Sequence, residues 1–242
     1  MKLLAFSKRT VKEILRDPLN LFFGLGFPLI LLVLLSMIQA NIPVPMFEIA
    51  HLAPGVMVFG LSFLTLFTSL LLARDRESAL LQRLYTAPLT AADFLLGYLL
   101  PTLPIALGQS AVCALASLAL GLRPTLHLLW TVLFTLPAAL FYISLGLVFG
   151  SILNVKAVGG VCGALLTNLS AWLSGIWFDV ALVGGWFEKL ANLLPFIHAV
   201  ELERAVLLGD FTAGLPHLWW VLGYAAAAFL GASALFCRQM RQ

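Results

Sequence analysis

Long apolar runs alternate with short polar interruptions along this chain. About twenty apolar residues in a helix cross a hydrocarbon core of roughly 30 Å. Six runs meet that length: Leu21–Ile38, Leu52–Ala73, Phe94–Leu120, Leu128–Leu153, Ala157–Trp177 and Leu218–Cys237. The third is long and has Pro101 and Pro104 where it can bend. Ahead of the first run, Leu3, Leu4, Phe6, Val11, Ile14 and Leu15 recur at roughly helical spacing, with Lys2, Lys8, Arg9, Lys12 and Arg16 between them. That pattern predicts an interfacial amphipathic helix over residues 1–18, lying among the headgroups of an anionic leaflet. Asp17 and Pro18 open a stretch, 17–20, that predicts a break, because Pro disfavours a helical residue before it. Residues 178–216 are too apolar for water, yet their apolar pieces are too short to span. They predict two re-entrant helices, about 181–193 and 196–208, separated by Pro195 and dipping into the outer leaflet. The expected architecture is a single all-α integral membrane domain over residues 1–242, with six transmembrane helices.

Composition narrows the class to one. The 242 residues are 62% hydrophobic and 10% charged, against about 45–50% apolar and 25% charged in soluble domains. A soluble chain of this size could not hide so much apolar surface. The net charge is +3, and its placement says more than its total. Eleven Lys and Arg fall on one set of flanks, at 2–16, 74–83, 156 and 238–241, and three on the other, Arg123, Lys189 and Arg204. The positive-inside bias then places both termini and the 74–90 loop in the cytoplasm. Glu13, Asp17 and a full-length first run argue against a secretory leader. Cys113, Cys162 and Cys237 are scattered through apolar stretches without metal-ligand spacing, and read as packing residues. No basic run mixed with aromatics suits nucleic acid.

The chemistry expected of a self-sufficient pump is missing. None of the five lysines is followed by Ser or Thr, so no phosphate-cradling GxxxxGK[ST] loop exists. The six runs hold almost no ionisable residue, whereas ion-coupled carriers place such groups near the midplane. Energy for transport would therefore enter from another subunit. The stretch Arg74–Thr90 is the longest strongly polar interruption between two apolar runs. It predicts a short cytoplasmic helix with Leu80, Leu81 and Leu84 on one stripe and charges elsewhere.

Residues 75–90 resemble a signature of ABC-2 type transporter permeases, Glu-Arg-Glu-x-Gly-Thr-Leu-Glu-Arg-Leu-x-Thr-Ala-Pro-Leu-Ser. Arg76, Glu77, Leu81, Arg83, Leu84, Thr86, Ala87, Pro88 and Leu89 match it, while Ala79, Leu80 and Gln82 stand where it has Gly, Thr and Glu. Three further regions are similar to the same family: Lys12–Leu21 with Gly26–Ile30, Leu173–Phe178, and Leu193–Glu201. The resemblance covers nearly the whole chain. It implies the membrane half of an ABC exporter in a bacterial plasma membrane. Two permease subunits, identical or not, would pair above two ATPase chains. ATP and Mg would be held on the partner ATPase, with no cofactor or metal bound by this chain. It further implies that 74–90 is the coupling helix, with Arg74, Asp75, Arg76, Glu77, Leu80, Leu81, Arg83 and Leu84 as the residues meeting the ATPase.

Thr65, Ser69, Asn168 and Ser174 are polar positions in the two spans that line the subunit interface in that family, and are candidates for the translocation path. Local helix packing through backbone hydrogen bonds would use the same residue types. Pro195, His198 and Glu201 are candidates for a re-entrant gate. Trp172, Trp177, Trp186 and Phe187 read as an interfacial aromatic belt. The apolar interior favours an amphiphilic cargo such as a drug, natural product or lipid. A non-transporting scaffold and an ion-coupled carrier are the alternatives.

Overall fold

The computed structural model describes residues 2–42, 44–78 and 91–240, and every element in them is helical. Helix α1 (Lys2–Leu15) leads into α2 (Pro18–Leu21), a π-helical stretch (Phe22–Gly26) and α3 (Phe27–Asn41). Then come α4 (Ile49–Glu77), α5 (Ala91–Ala119) and α6 (Leu126–Ile152). A segment built from α7 (Val155–Val158), a π-helical stretch (Gly159–Leu166) and α8 (Thr167–Leu173) follows. The short helices α9 (Val180–Val183), α10 (Gly185–Leu193) and α11 (Pro195–Leu208) precede the last helix, α12 (Phe211–Met240).

Among the described residues, five helices are long and apolar enough to cross a membrane: Phe22–Asn41, Ile49–Glu77, Asp93–Ala119, Leu126–Ile152 and Phe211–Arg238. The run expected at Ala157–Trp177 is not one continuous α-helix. Its middle widens into the π stretch, and the helical path stops at Leu173. A π register leaves carbonyls looking for new donors, and the Thr167 hydroxyl answers one by donating to the Cys162 carbonyl at 3.0 Å. Gly175, at φ 68°, then turns the chain.

Three other boundaries differ from the sequence expectation. Pro18 opens α2 instead of breaking the chain through residue 20. Its missing N–H is harmless at a first helical position, so the interruption shrinks to Arg16 and Asp17. Arg74–Glu77 complete the last turn of α4, and extended Ser78 ends it. They therefore do not begin a separate short helix. The last helix starts at Phe211, ahead of Leu218. Asp210 sets that start by accepting from the Ala213 N–H at 3.0 Å and the Thr212 hydroxyl at 2.7 Å, a capping arrangement.

Helix α4 is the axis of the molecule, with 83% of its apolar window buried. It approaches α6 closely because Gly146 and Gly150 have no side chains. A Cβ on Gly146 would lie 2.7 Å from the Thr65 carbonyl oxygen, and one on Gly150 would lie 2.9 Å from that of Ser69. Two apolar clusters mark the two ends. Phe6, Leu72, Phe94, Tyr98 and Phe236 meet at one. Leu35, Leu52, Leu122, Leu128 and Leu207 meet at the other.

Candidate coupling site

The end of α4, just ahead of residues 79–90, is tied to four neighbouring elements. Asp75 lies nearly buried in the last turn of α4. Arg9 of α1 grips it with both guanidinium nitrogens, Nη2 to Oδ1 at 2.8 Å and Nη1 to Oδ2 at 3.1 Å. The Tyr98 hydroxyl of α5 donates to Oδ2 at 2.6 Å. Arg9 also reaches Glu13, one turn along α1, at 2.5 Å. Partial burial works against the Arg9 charge, but hydrogen bonds and charge attraction from Asp75 and Glu13 outweigh it and raise its pKa. Bidentate charge-assisted pairs of this kind fix orientation as well as adding energy.

The neighbouring charges reach in other directions. Arg76 Nη1 donates to the Gly150 carbonyl at 2.8 Å and the Leu153 carbonyl at 3.2 Å, where α6 ends. Glu77 accepts from the Val155 N–H at 2.9 Å, at the start of α7. Arg74 approaches Asp17 at 3.4 Å and stays exposed. Local folding explains the arrangement. Phe6, Thr10 and Ile14 recur every four residues and are buried, which seats α1 against α5. Phe6 stacks edge-on to Phe94 and Tyr98, and any side chain on Gly97 would overlap its ring. This seating leaves Arg9 pointing along the edge toward Asp75.

Of the expected coupling residues, the structure brings together Arg74, Asp75, Arg76 and Glu77. Leu80, Leu81, Arg83 and Leu84 lie outside the described residues. The partners Arg9, Glu13 and Tyr98 escaped the sequence reading. Their signals were available: Arg9 and Glu13 have the i, i+4 spacing of a helical ion pair, and a phenol in an apolar span needs a partner for its hydroxyl.

The candidate path residues are used for packing within the chain. Thr65 donates to the Tyr142 carbonyl at 2.7 Å and Ser69 to the Gly146 carbonyl at 2.8 Å, both joining α4 to α6. Ser174 donates to its own Ala171 carbonyl at 3.1 Å. Asn168 alone of the four is exposed, bonded to the Ala164 carbonyl at 2.8 Å. The expected belt divides: Trp172 and Trp186 are exposed, whereas Trp177 packs on Phe59 and Phe187 on Phe178.

At the opposite end, Pro195 begins α11 as expected. Glu201 pairs with Arg204 at 2.7 Å. Arg204 also donates to the Gly175 carbonyl at 3.1 Å, holding α11 to the turn after α8. His198 and His217 face each other through their Nδ1 atoms at 2.8 Å, and His198 Nε2 reaches the Asn192 carbonyl at 2.9 Å. Glu203 is fully buried with no hydrogen-bond partner among the described residues, and burial pushes its carboxyl well above the usual range. Among the described residues, no three His, Cys, Asp or Glu side chains gather as metal ligands.

Residues 1–208 match the family model for the ABC-2 type transporter. The chain belongs to the ABC-2 type transporter family. This permease is 24% identical over 221 residues to YbhR of Escherichia coli K12, named as a probable multidrug ABC transporter permease. The match takes in 86% of this chain but 57% of that protein, so the chain spans little more than half the relative's length. It is 29% identical over 239 residues to Nodulation protein J of Bradyrhizobium diazoefficiens, covering 93% of this chain and 85% of that one. Family and apolar helices together describe a multi-pass membrane permease.

Proposed function

We propose that this permease is the membrane-spanning subunit of an ATP-driven exporter that moves an amphiphilic small molecule out of the cytoplasm. The observation that carries the reading is the bonding at the root of the 79–90 loop. Asp75, Arg76 and Glu77 bond to α1, to α5, to the end of α6 and to the start of α7. A displacement of that loop by a cytoplasmic ATPase would move four elements together. ATP and Mg are then held on the partner, where the ATP is hydrolysed. A second permease subunit completes the path. The exposed face of residues 155–173 suits that subunit better than buried α4, because Gly159 and Gly160 have no atom within 4 Å of where a Cβ would stand. The name of YbhR favours a drug-like cargo. Pro195, His198 and Glu201 of α11 serve as the outer gate in this reading.

The test is the double substitution Glu77→Ala with Arg83→Ala, in membranes carrying the partner ATPase. Export should fall at least tenfold, while insertion and permease amount stay unchanged. Export and substrate-stimulated ATP hydrolysis at the unsubstituted level would refute the coupling assignment. Buried Glu203 favours one second reading, an ion-coupled carrier, since unpaired carboxyls inside membranes mark ion pathways. Uptake into vesicles without ATP, driven by a proton gradient and abolished by Glu203→Gln, would decide for it.

A further inference from the structure

The outward side of α1 presents charge that nothing among the described residues neutralises. Lys8, Lys12 and Arg16 recur every four residues and are exposed, and none forms an ion pair among the described residues. Val11 and Leu15 flank this stripe, 36% and 60% exposed. Behind Arg16 opens a cavity of about 330 Å³ between the end of α1 and the last turns of α4. Its apolar wall is Phe67, Leu70 and Leu71, and Arg16 and Arg74 stand with carboxylates at its polar side. Those carboxylates are engaged: Glu13 and Asp75 by Arg9, and Asp17 by Arg74. Four residues beyond Pro18, the exposed Phe22 and Phe23 begin the first span. The stripe therefore lies at the depth where headgroups meet hydrocarbon.

We propose that this face and cavity bind an anionic phospholipid of the cytoplasmic leaflet. Lys8, Lys12 and Arg16 hold the headgroup charge, Val11 and Leu15 enter the acyl boundary, and Phe67, Leu70 and Leu71 receive a chain. An exposed leucine beside a lysine and an arginine matches a lipid surface, which offers negative charge and hydrocarbon within a few ångströms. The cytoplasmic placement rests on the membrane orientation proposed above. Because Arg9, on the same helix, holds Asp75, lipid bound here steadies the root of the 79–90 loop. Anionic lipid thus tunes coupling.

The test measures lipid retention by the purified full chain, with neither ATPase nor cargo present, so its failure leaves the transport reading standing. The protein is reconstituted in equal phosphatidylglycerol and phosphatidylcholine, extracted, and its retained lipids are counted by mass spectrometry. The unsubstituted chain should retain phosphatidylglycerol preferentially. Each basic residue near an anionic surface strengthens binding about fivefold, so Lys8→Gln, Lys12→Gln and Arg16→Gln together should lower the preference about a hundredfold. Arg16→Gln alone, expected to lower it about fivefold, serves if the triple variant accumulates poorly. Arg123→Gln with Lys189→Gln, at the other end, should leave it unchanged. An unaltered preference in the α1 variants overturns the site, as does an equal loss in the control. In a separate pull-down from membranes carrying the ATPase, a triple variant that keeps its lipid but loses the ATPase overturns it too, since the face would then dock protein.

Discussion

Asp75 accepts from three donor atoms, and removing them one at a time separates their roles. Tyr98→Phe deletes one hydrogen bond but leaves the Arg9 pair, so it should lower stability by about 1 kcal/mol. Asp75→Ala strands a partly buried guanidinium and a buried phenol, and should cost about 3 kcal/mol. Thermal unfolding in detergent measures both, and equal losses would mean that Arg9 contributes nothing. The His198–His217 pair makes a prediction about pH. Nε2 of His198 meets a carbonyl, so it carries the proton in neutral His198. Nδ1 must then accept, and His217 must donate to it. Burial chiefly, then His217, lowers the His198 pKa, against the Asn192 hydrogen bond and Glu201, which raise it. Glu188 and Lys189 of α10 are the other charged groups beside this face. A proton added at Nδ1 of His198 would set two N–H groups against each other and loosen α11 from α12. The sign follows from the lowered pKa: the native state binds fewer protons than the unfolded one, so the contribution is present above about pH 6.5 and lost as pH falls below it. Melting temperature should drop between pH 7.5 and pH 5, and His198→Asn should flatten that drop. An identical drop in the variant would assign it elsewhere.

Between elements, the closest contact is α4 against α6, and glycines set it. Gly146→Ala forces a methyl against the backbone carbonyl of Thr65, which cannot rotate away, and should cost about 2 kcal/mol. Gly163→Ala meets only the Leu66 side chain at 3.4 Å, ordinary contact. It should be neutral or slightly stabilising in the isolated protomer. Chemical denaturation of the two variants compares them directly, and equal effects would mean that the α4–α6 contact is loose. Both positions belong to glycine pairs four apart that look alike in the sequence, yet one is buried against a helix and the other faces outward. Spacing reports that helices can approach, not which helix arrives. The same limit explains the rest. Apolar runs revealed five spans to within a few residues, because hydropathy and length are local properties. Pro195 and the short apolar pieces gave α11 for the same reason, whereas the single helix expected over 181–193 is broken at Gly184, φ 63°, into α9 and α10. The π stretch was hidden, since GlyGlyValCysGlyAlaLeuLeu has the hydropathy of any apolar helix and its register depends on a hydroxyl at Thr167. The 75–90 signature stood out in the sequence, but three quarters of it, residues 79–90, lies outside the described region. The part that is described became legible only through Arg9 and Tyr98, which are 66 and 23 positions away from Asp75.

The whole molecule is polarised end to end, and the fold sharpens what charge counting implied. Arg9, Arg74 and Arg76 meet at one end, Lys156 lies beside Val155 there, and Phe236 brings the last helix to the same end. These are the flanks that hold eleven of the fourteen basic residues. At the other end, Arg204, His51, Glu201 and Asp179 line a cavity of about 280 Å³, and Arg204 is already paired. A membrane whose cytoplasmic leaflet is anionic favours the first end inward. Energy from an ATPase could reach the protein only there, so the orientation carries the functional reading with it. Single cysteines test it in a Cys237→Ala background, where the remaining Cys113 and Cys162 are buried. An impermeant maleimide should label Lys189→Cys and Asp210→Cys in intact cells. It should reach Lys156→Cys only after the membrane is opened. All three positions are exposed, so a difference in labelling reports sidedness and not burial. The opposite pattern would put the 74–90 stretch outside, beyond the reach of any cytoplasmic ATPase, and the coupling assignment would fall with the orientation.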